Sequence, residues 1–328
     1  MAFNFEYEKL VKELKKKKPK KVLVQLPEGI KKHSFEIEKL ISDLGIKVVF
    51  SGQTCWSGCC VSVEEADSVG ADLIVHFGHA KFINVKFPVL YVEVKDELNL
   101  KPLLNKSLKA LKKFKSIGLS YSIQHRHDLG KIVKFYEDNK KKVILSTKKG
   151  LVAYEGHIVG CQYEGLKEIE KKVEVFVIIG NNFHSMGASI AVKKPVVLVD
   201  VYNDDIKIMK GVREKILKQR AISISKLKDA KKVGILIERK PGQKFGNADI
   251  LEKDLKKQGK EVVVIDIDEM TRDKLMNFYY VDCFIDLGCP RIAVDDFAKY
   301  GKPIVTFKEA LIAIGKKTWT EGLKTGLL

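Results

Sequence analysis

The stretch KKVLVQL at residues 20–26 is a short β-branched run, opened by lysines and followed by the turn-like Pro27-Glu28-Gly29. Two later stretches have the same character: KSIGLSY at 115–121 and KKVGILI at 231–237. Working outward, each is followed by a helix-period segment and a second apolar run: IKVVFS at 46–51, KVILS at 142–146 and EVVVID at 261–266. A third run follows in each copy (ADLIVHF at 71–77, VEVFVII at 173–179, VDCFIDL at 281–287). A fourth follows again, opened by Pro88, Pro195 and Pro303. Looking for such repeats first decides the architecture.

Nearly continuous apolar strands alternating with helical segments signal small parallel sheets covered on both faces. The expected fold class is therefore α/β, with three similar domains, each a small parallel sheet flanked by helices. The expected domains are 1–104, 105–215 and 216–328, with the dividing segments lying within 100–113 and 204–229. Both dividers have helical spacing rather than linker composition, so the domains should pack together.

Composition bounds the rest. A chain of 328 residues with 45% hydrophobic content can bury sizeable cores. It has no apolar window of membrane-spanning length, and it starts with a polar amphipathic helix followed by lysines. A cytoplasmic, membrane-free protein is expected, in which thiols stay reduced and six cysteines read as ligands, catalysts or core residues before disulfides. The formal charge of +18 admits an acidic macromolecular partner. The lysines are nevertheless spread over every expected helix, with no accompanying nucleic-acid motif, so a solvated Lys/Glu surface is favoured and no direct nucleic-acid binding is expected.

In open parallel sheets ligands gather beyond the carboxyl ends of the strands. Each expected domain places a cysteine there. GQTCWSGCCVSVEEA at 52–66 holds Cys55, Cys59 and Cys60, the middle domain has Cys161 and the last has Cys289. Cys283 falls inside an apolar strand and reads as core. Three convergent thiolates could bind a [4Fe-4S] cluster and leave one iron open. Zinc is the rival ion, although C-x2-C pairs of finger type are missing. His76 and His79 stand three apart at a strand end and could serve a metal, a substrate or only the backbone; His125, His127, His157 and His184 are equally open. No P-loop, G-x-S-x-G or G-x-G-x-x-G pattern occurs. Pro27-Glu28-Gly29 and Pro241-Gly242-Gln243 read either as ordinary turns or as ligand loops.

QLPEGI, WSGCCVSVEEA, VHFGHA, the Gly-Cys at Cys161, KPGQ and GCPRIAVDD together, in this order, resemble the archaeal radical enzyme family of diphthamide synthesis. The resemblance implies a homodimer of three-domain subunits, each with one [4Fe-4S] cluster on Cys59, Cys161 and Cys289. Cys59 is chosen because the family's Tyr-Gly-Ala-Cys pattern falls on Trp56-Ser57-Gly58-Cys59, with Cys60 as the possible substitute. The implied reaction is cleavage of the bond from sulfur to the γ-carbon of S-adenosylmethionine, using one electron from the cluster. The 3-amino-3-carboxypropyl group then goes to an imidazole carbon of a histidine on elongation factor 2. An electron donor is implied as partner, and Glu28, Gly29, His79 and Gln243 are the expected cofactor contacts. Two other readings are a quinolinate synthase-like iron-sulfur enzyme and a non-catalytic iron-sulfur partner subunit.

Overall fold

The computed structural model describes residues 3–295 and 300–325. Asp296, the last residue of the GCPRIAVDD stretch, lies outside the described residues. After the two-residue β1 (Phe3–Asn4), the first repeat lays down β2 (Lys21–Gln25), β3 (Lys47–Phe50), β4 (Leu73–Phe77) and β5 (Val89–Val92). The short β6 (Lys95–Asp96) then returns antiparallel to β1. The second repeat gives β7 (Ser116–Tyr121), β8 (Lys142–Leu145), β9 (Val175–Gly180) and β10 (Val196–Asp200), followed by β11 (Asp205–Ile208). The third gives β12 (Lys232–Glu238), β13 (Glu261–Ile267), β14 (Cys283–Asp286) and β15 (Ile304–Thr306).

The sheets share one plan. Their orders are β3-β2-β4-β5, β8-β7-β9-β10-β11 and β13-β12-β14-β15, so each repeat's first strand is central, its second and third flank it, and its fourth lies outside the third. All these pairings are parallel except β11 on β10. Each crossover from the first to the second strand carries a helix that buries an i,i+4 pair: Ile37 and Ile41, Ile132 and Tyr136, or Leu251 and Leu255. That spacing puts both side chains on one helical face, which is the face turned to the sheet. Successive residues of a strand point to opposite faces. In β2, Val22 and Val24 accordingly join one apolar cluster and Leu23 another.

Two features depart from the sequence reading. Residues 205–208, assigned there to a helical divider, form the antiparallel edge strand β11, and the helix begins only at Val212 (Val212–Asp229). The alternating Asp-Ile-Lys-Ile suits a half-exposed sheet edge, and left-handed Gly211 precedes the helix. The other is Arg220, which sits in a lysine-rich stretch yet is 1% exposed. Its Nε donates to Glu309 (2.7 Å), its Nη2 donates to Glu309 (2.5 Å) and to the Ile304 carbonyl (2.7 Å), and its Nη1 donates to the Ala293 carbonyl (2.5 Å). A buried charge is tolerable only when its donors are satisfied in this way. The helix carrying it packs on Asn182–Ala191 of the second repeat and Phe307–Ala313 of the third, and the ion pair anchors that helix to the third repeat.

Burial also sets a pH limit. His125, in the turn after β7, is fully buried, and neither ring nitrogen has a hydrogen-bond partner among the described residues. Burial first, then the neighbouring His127, push its pKa down to about 4, against the opposing pull of Asp128. The unfolded chain's histidine titrates near 6.5. Between those values the unfolded state holds a proton that the native state does not, so stability is full above about pH 6.5 and falls as pH falls toward 4. His125 alone accounts for about 3 kcal/mol of that loss. Urea midpoints of wild type and His125→Leu measured from pH 7 to 4.5 should show a shallower acid limb in the variant; identical slopes would contradict this.

Candidate functional site

The parallel sheets bring a set of strand-end loops from all three repeats to one junction. The cysteine loop after β3 is held at the end of β2, where Gln25 grips it. Gln25 Nε2 donates to the Cys60 carbonyl (2.5 Å) and to Ser62 Oγ (2.8 Å). The loop after β12 then closes on it, with the Gly242 amide donating to the Cys59 carbonyl (3.1 Å). Only glycine allows this approach, since a Cβ at 242 would stand 2.5 Å from Cys59 Cβ and 2.8 Å from its Cα. Gln243 Nε2 lies 3.4 Å from both Cys59 Sγ and Cys60 Sγ, while its Oε1 is buried without a partner among the described residues.

The second and third repeats meet beside these thiols. Arg291 Nη1 donates to the Gly160 carbonyl (2.6 Å) and to Tyr163 Oη (3.1 Å), and its guanidinium lies 3.9 Å over the Phe183 ring. Gly160 and Arg291 neighbour Cys161 and Cys289 in sequence, so this clamp fixes the two thiol-bearing loops against each other. Between the first and second repeats, Gln124 Nε2 donates to the Gly78 carbonyl (2.7 Å) and Tyr154 Oη donates to Glu93 (2.6 Å).

The thiols feel one another across the three repeats. Burial pushes Cys161 up to about 11, against the lowering pull of Arg291, and the charge of Cys60 adds to the rise. Burial likewise raises Cys289, with Asp286 and Cys161 contributing. Cys59 and Cys60, with Sγ atoms 3.7 Å apart, titrate as a pair. The hydrogen bond between them raises Cys59 and lowers Cys60, and the charge of Cys289 also reaches Cys59. Cys161 and Val159 pack on the cluster of Cys59, Cys60 and Phe82. Glu238 is buried at the same junction, its pKa raised to about 7 chiefly by burial. Cys283 is buried in the core of the third sheet, away from this set.

Of the expected cofactor contacts, Gln243 touches the thiol pair directly. Glu28 opens the short helix after β2, where its Oε1 accepts from the Cys55 amide (3.3 Å) and its Oε2 pairs with Lys31 (2.7 Å). Gly29 is exposed in the same turn, with open space on its Cβ side. His79 lies beside His76 and Cys55 rather than against Cys59. The sequence did not single out Arg291 as a clamp or the buried Glu238; Glu238 ends β12 and Arg291 follows β14 by a few positions, and that strand-end placement is the signal that could have found them.

The sequence pattern of the diphthamide synthesis protein family matches residues 26–324. The 2-(3-amino-3-carboxypropyl)histidine synthase of Pyrococcus horikoshii is 28% identical over 310 residues, covering 93% of this chain and 89% of its own. The protein of the same name from Methanocaldococcus jannaschii is 30% identical over 330 residues, covering 94% and 88%. Among solved structures, that of Dph2 from Pyrococcus horikoshii with a 4Fe-4S cluster superposes with a TM-score of 0.84 at 27% identity, covering 96% of this chain and 92% of that one.

The contact at Gly242 gives a direct test of the junction. Gly242→Ala forces the Cys59 backbone or the 240–243 loop to move, and should cost about 1–3 kcal/mol, as overpacked sites do. Cys59 should also become faster to alkylate in the metal-free protein, read by peptide mass spectrometry; unchanged stability and reactivity would show that the close approach is not made.

Proposed function

The chain belongs to the diphthamide synthesis protein family, and on that premise we propose that it transfers the 3-amino-3-carboxypropyl group of S-adenosylmethionine to a histidine imidazole carbon of elongation factor 2, the first step of diphthamide biosynthesis. It is a transferase, as the name shared by its archaeal relatives describes. The observation that supports the reading is that loops of all three sheets come together here: Cys161 packs on the Cys59–Cys60 pair, the Gly242–Gln243 loop closes on the same pair, and Arg291, two positions after Cys289, holds the Gly160 carbonyl.

The donor set fits a [4Fe-4S] cluster. Such clusters take thiolates, and here Cys161 packs on the cluster of Cys59 and Cys60 while Cys289 is within electrostatic reach of both Cys59 and Cys161. Buried thiols with raised pKa values stay protonated on their own, whereas a coordinating metal deprotonates them outright. Gln243 adds an N–H donor to sulfur, the kind of contact that sets a cluster's potential. In this reading Cys59, Cys161 and Cys289 would hold the cluster, and Cys60 stands beside Cys59 under the same glutamine. The chemistry such a cluster would supply there is one-electron reduction, for radical cleavage of the bond from sulfur to the γ-carbon of S-adenosylmethionine.

The chain's own residues position that substrate. Gln243 is the best supported contact, because its free Oε1 can accept from the amino group of the methionine moiety while its Nε2 stays on sulfur. Glu28 and Gly29 lie at the neighbouring strand end, and His79 lies deeper in the same repeat. The Gly242 approach and the Arg291 clamp keep the thiol loops fixed, so that binding does not first have to order them.

Three units, 1–104, 105–215 and 216–328, a homodimer, an electron donor and a cytoplasmic setting complete the proposal. Among the described residues no helix is long and apolar enough to cross a membrane. Family membership weighs against a quinolinate synthase-like reaction, and the presence of all three thiols in one chain supports a catalytic role over that of a partner subunit.

The experiment is anaerobic incubation of the dithionite-reduced protein with S-adenosylmethionine and elongation factor 2. Methylthioadenosine should form together with a matching mass increase on one histidine of the factor. A cluster-bearing protein that gives neither product would overturn the proposal.

A further inference from the structure

Behind the thiol junction, inside the first repeat, a second group of donors converges that the cluster reading leaves unused. Cys55 Sγ lies 4.0 Å from His76 Nε2 and 4.0 Å from His79 Nδ1, and the two ring nitrogens are 3.0 Å apart. Cys55 comes from the loop after β3 and His76 from β4, and both are almost completely buried; His79 follows β4.

The tautomer of His76 follows from its neighbours. Gln25 Nε2 donates to the Cys60 carbonyl, which can only accept, and this fixes the glutamine amide with its Oε1 2.9 Å from His76 Nδ1. His76 Nδ1 must then carry the proton, and Nε2 turns its lone pair toward Cys55 and His79. A ring nitrogen oriented by an amide or carboxylate acceptor on its other side is the arrangement that metal-ligating histidines use. His79 is held in turn by a hydrogen bond to the backbone of Trp56.

The spacing suits a small ion. Zinc bonds of about 2.0–2.1 Å to nitrogen and 2.3 Å to sulfur imply ligand-to-ligand edges of roughly 3.3–3.6 Å in a tetrahedral site. The three observed edges lie on both sides of that range. Closing on an ion would require shifts of only a few tenths of an ångström to about half an ångström at each atom. One thiol with two imidazoles favours a zinc-type ion over magnesium, calcium or manganese, which prefer oxygen.

We propose that Cys55, His76 and His79 form a second metal site, separate from Cys59, Cys161 and Cys289, that takes one zinc-type divalent ion and leaves a fourth position for water or another small ligand. Binding displaces the Cys55 thiol proton to solvent. The ion ties the end of β4 to the loop that carries Cys59 four positions further on, and so stiffens one wall of the junction. On this inference His79, named above among the substrate contacts, acts through the ion. The inference is independent of the reaction assigned to the junction.

The test uses the anaerobically purified, cluster-loaded protein, incubated with Zn2+, or in parallel with Co2+, and desalted. Wild type should retain about one zinc per chain with its iron content unchanged. Cys55→Ser and His79→Gln should each lower the zinc at least about tenfold while leaving iron untouched, since neither alters the three-cysteine set. Cobalt in wild type should show tetrahedral visible bands with a thiolate charge-transfer band that Cys55→Ser abolishes. Zinc retention no greater in wild type than in Cys55→Ser would overturn the proposal. So would a cobalt-thiolate band that survives that substitution, because it would put the metal on other thiols. Should Cys55→Ser fail to fold, His79→Gln gives the same reading, because it leaves the buried Cys55 and His76 in place.

Discussion

Everything at the junction depends on one steric constraint: the backbone of Gly242, from the third sheet, rests against Cys59, from the first, with no room for even a methyl group. That approach brings Gln243 within hydrogen-bonding reach of the Cys59–Cys60 pair and makes the third sheet's loop a wall of the first sheet's site. A polar contact made across two separately folded sheets is maintained only if the sheets themselves are fixed. The Arg291 clamp ties the third repeat to the second, Gln124 and Tyr154 tie the second to the first, and within the third repeat the helix at its entry is anchored by the buried Arg220–Glu309 pair. Loss of either partner of the latter would leave a charge stranded in the interior, which is far more costly than never having placed one there.

The same logic bears on how the thiols are enclosed, Cys59 buried and Cys161 and Cys289 half-buried. In isolation, burial holds Cys161 and Cys289 in their neutral forms. A site tuned for nucleophilic sulfur would do the opposite, lowering its pKa with a helix N-terminus or a cation. A preorganised, largely enclosed thiol set is suited to taking up a metal group whose own charge drives the deprotonation. Burial also limits solvent access, which for an iron-sulfur group bears on its potential.

The fold was largely legible because its strands are nearly unbroken apolar runs, each fourth one opened by proline, and a threefold repetition made every weak reading support the others. β11 was missed because Asp-Ile-Lys-Ile is too polar to read as a strand and runs into a true helix two residues after Met209-Lys210. Arg220 was hidden for a related reason: in a chain with 60 Lys and Arg, one buried basic residue has no sequence mark of its own. The cysteines could be picked out from strand-end position and resemblance together. The grouping of Cys55 with His76 and His79 could not, since it depends on parallel register, which sets Gln25 opposite His76 and so brings the end of β4 beneath the cysteine loop.

The central claim is that one thiol from each sheet, and Cys59 rather than its neighbour, holds the iron-sulfur group. Iron per chain, measured after anaerobic reconstitution of four single alanine variants, tests it most directly. The account predicts that Cys59→Ala, Cys161→Ala and Cys289→Ala each lose the bound cluster while Cys60→Ala keeps it. A Cys60→Ala protein that bleaches while Cys59→Ala stays brown would contradict it.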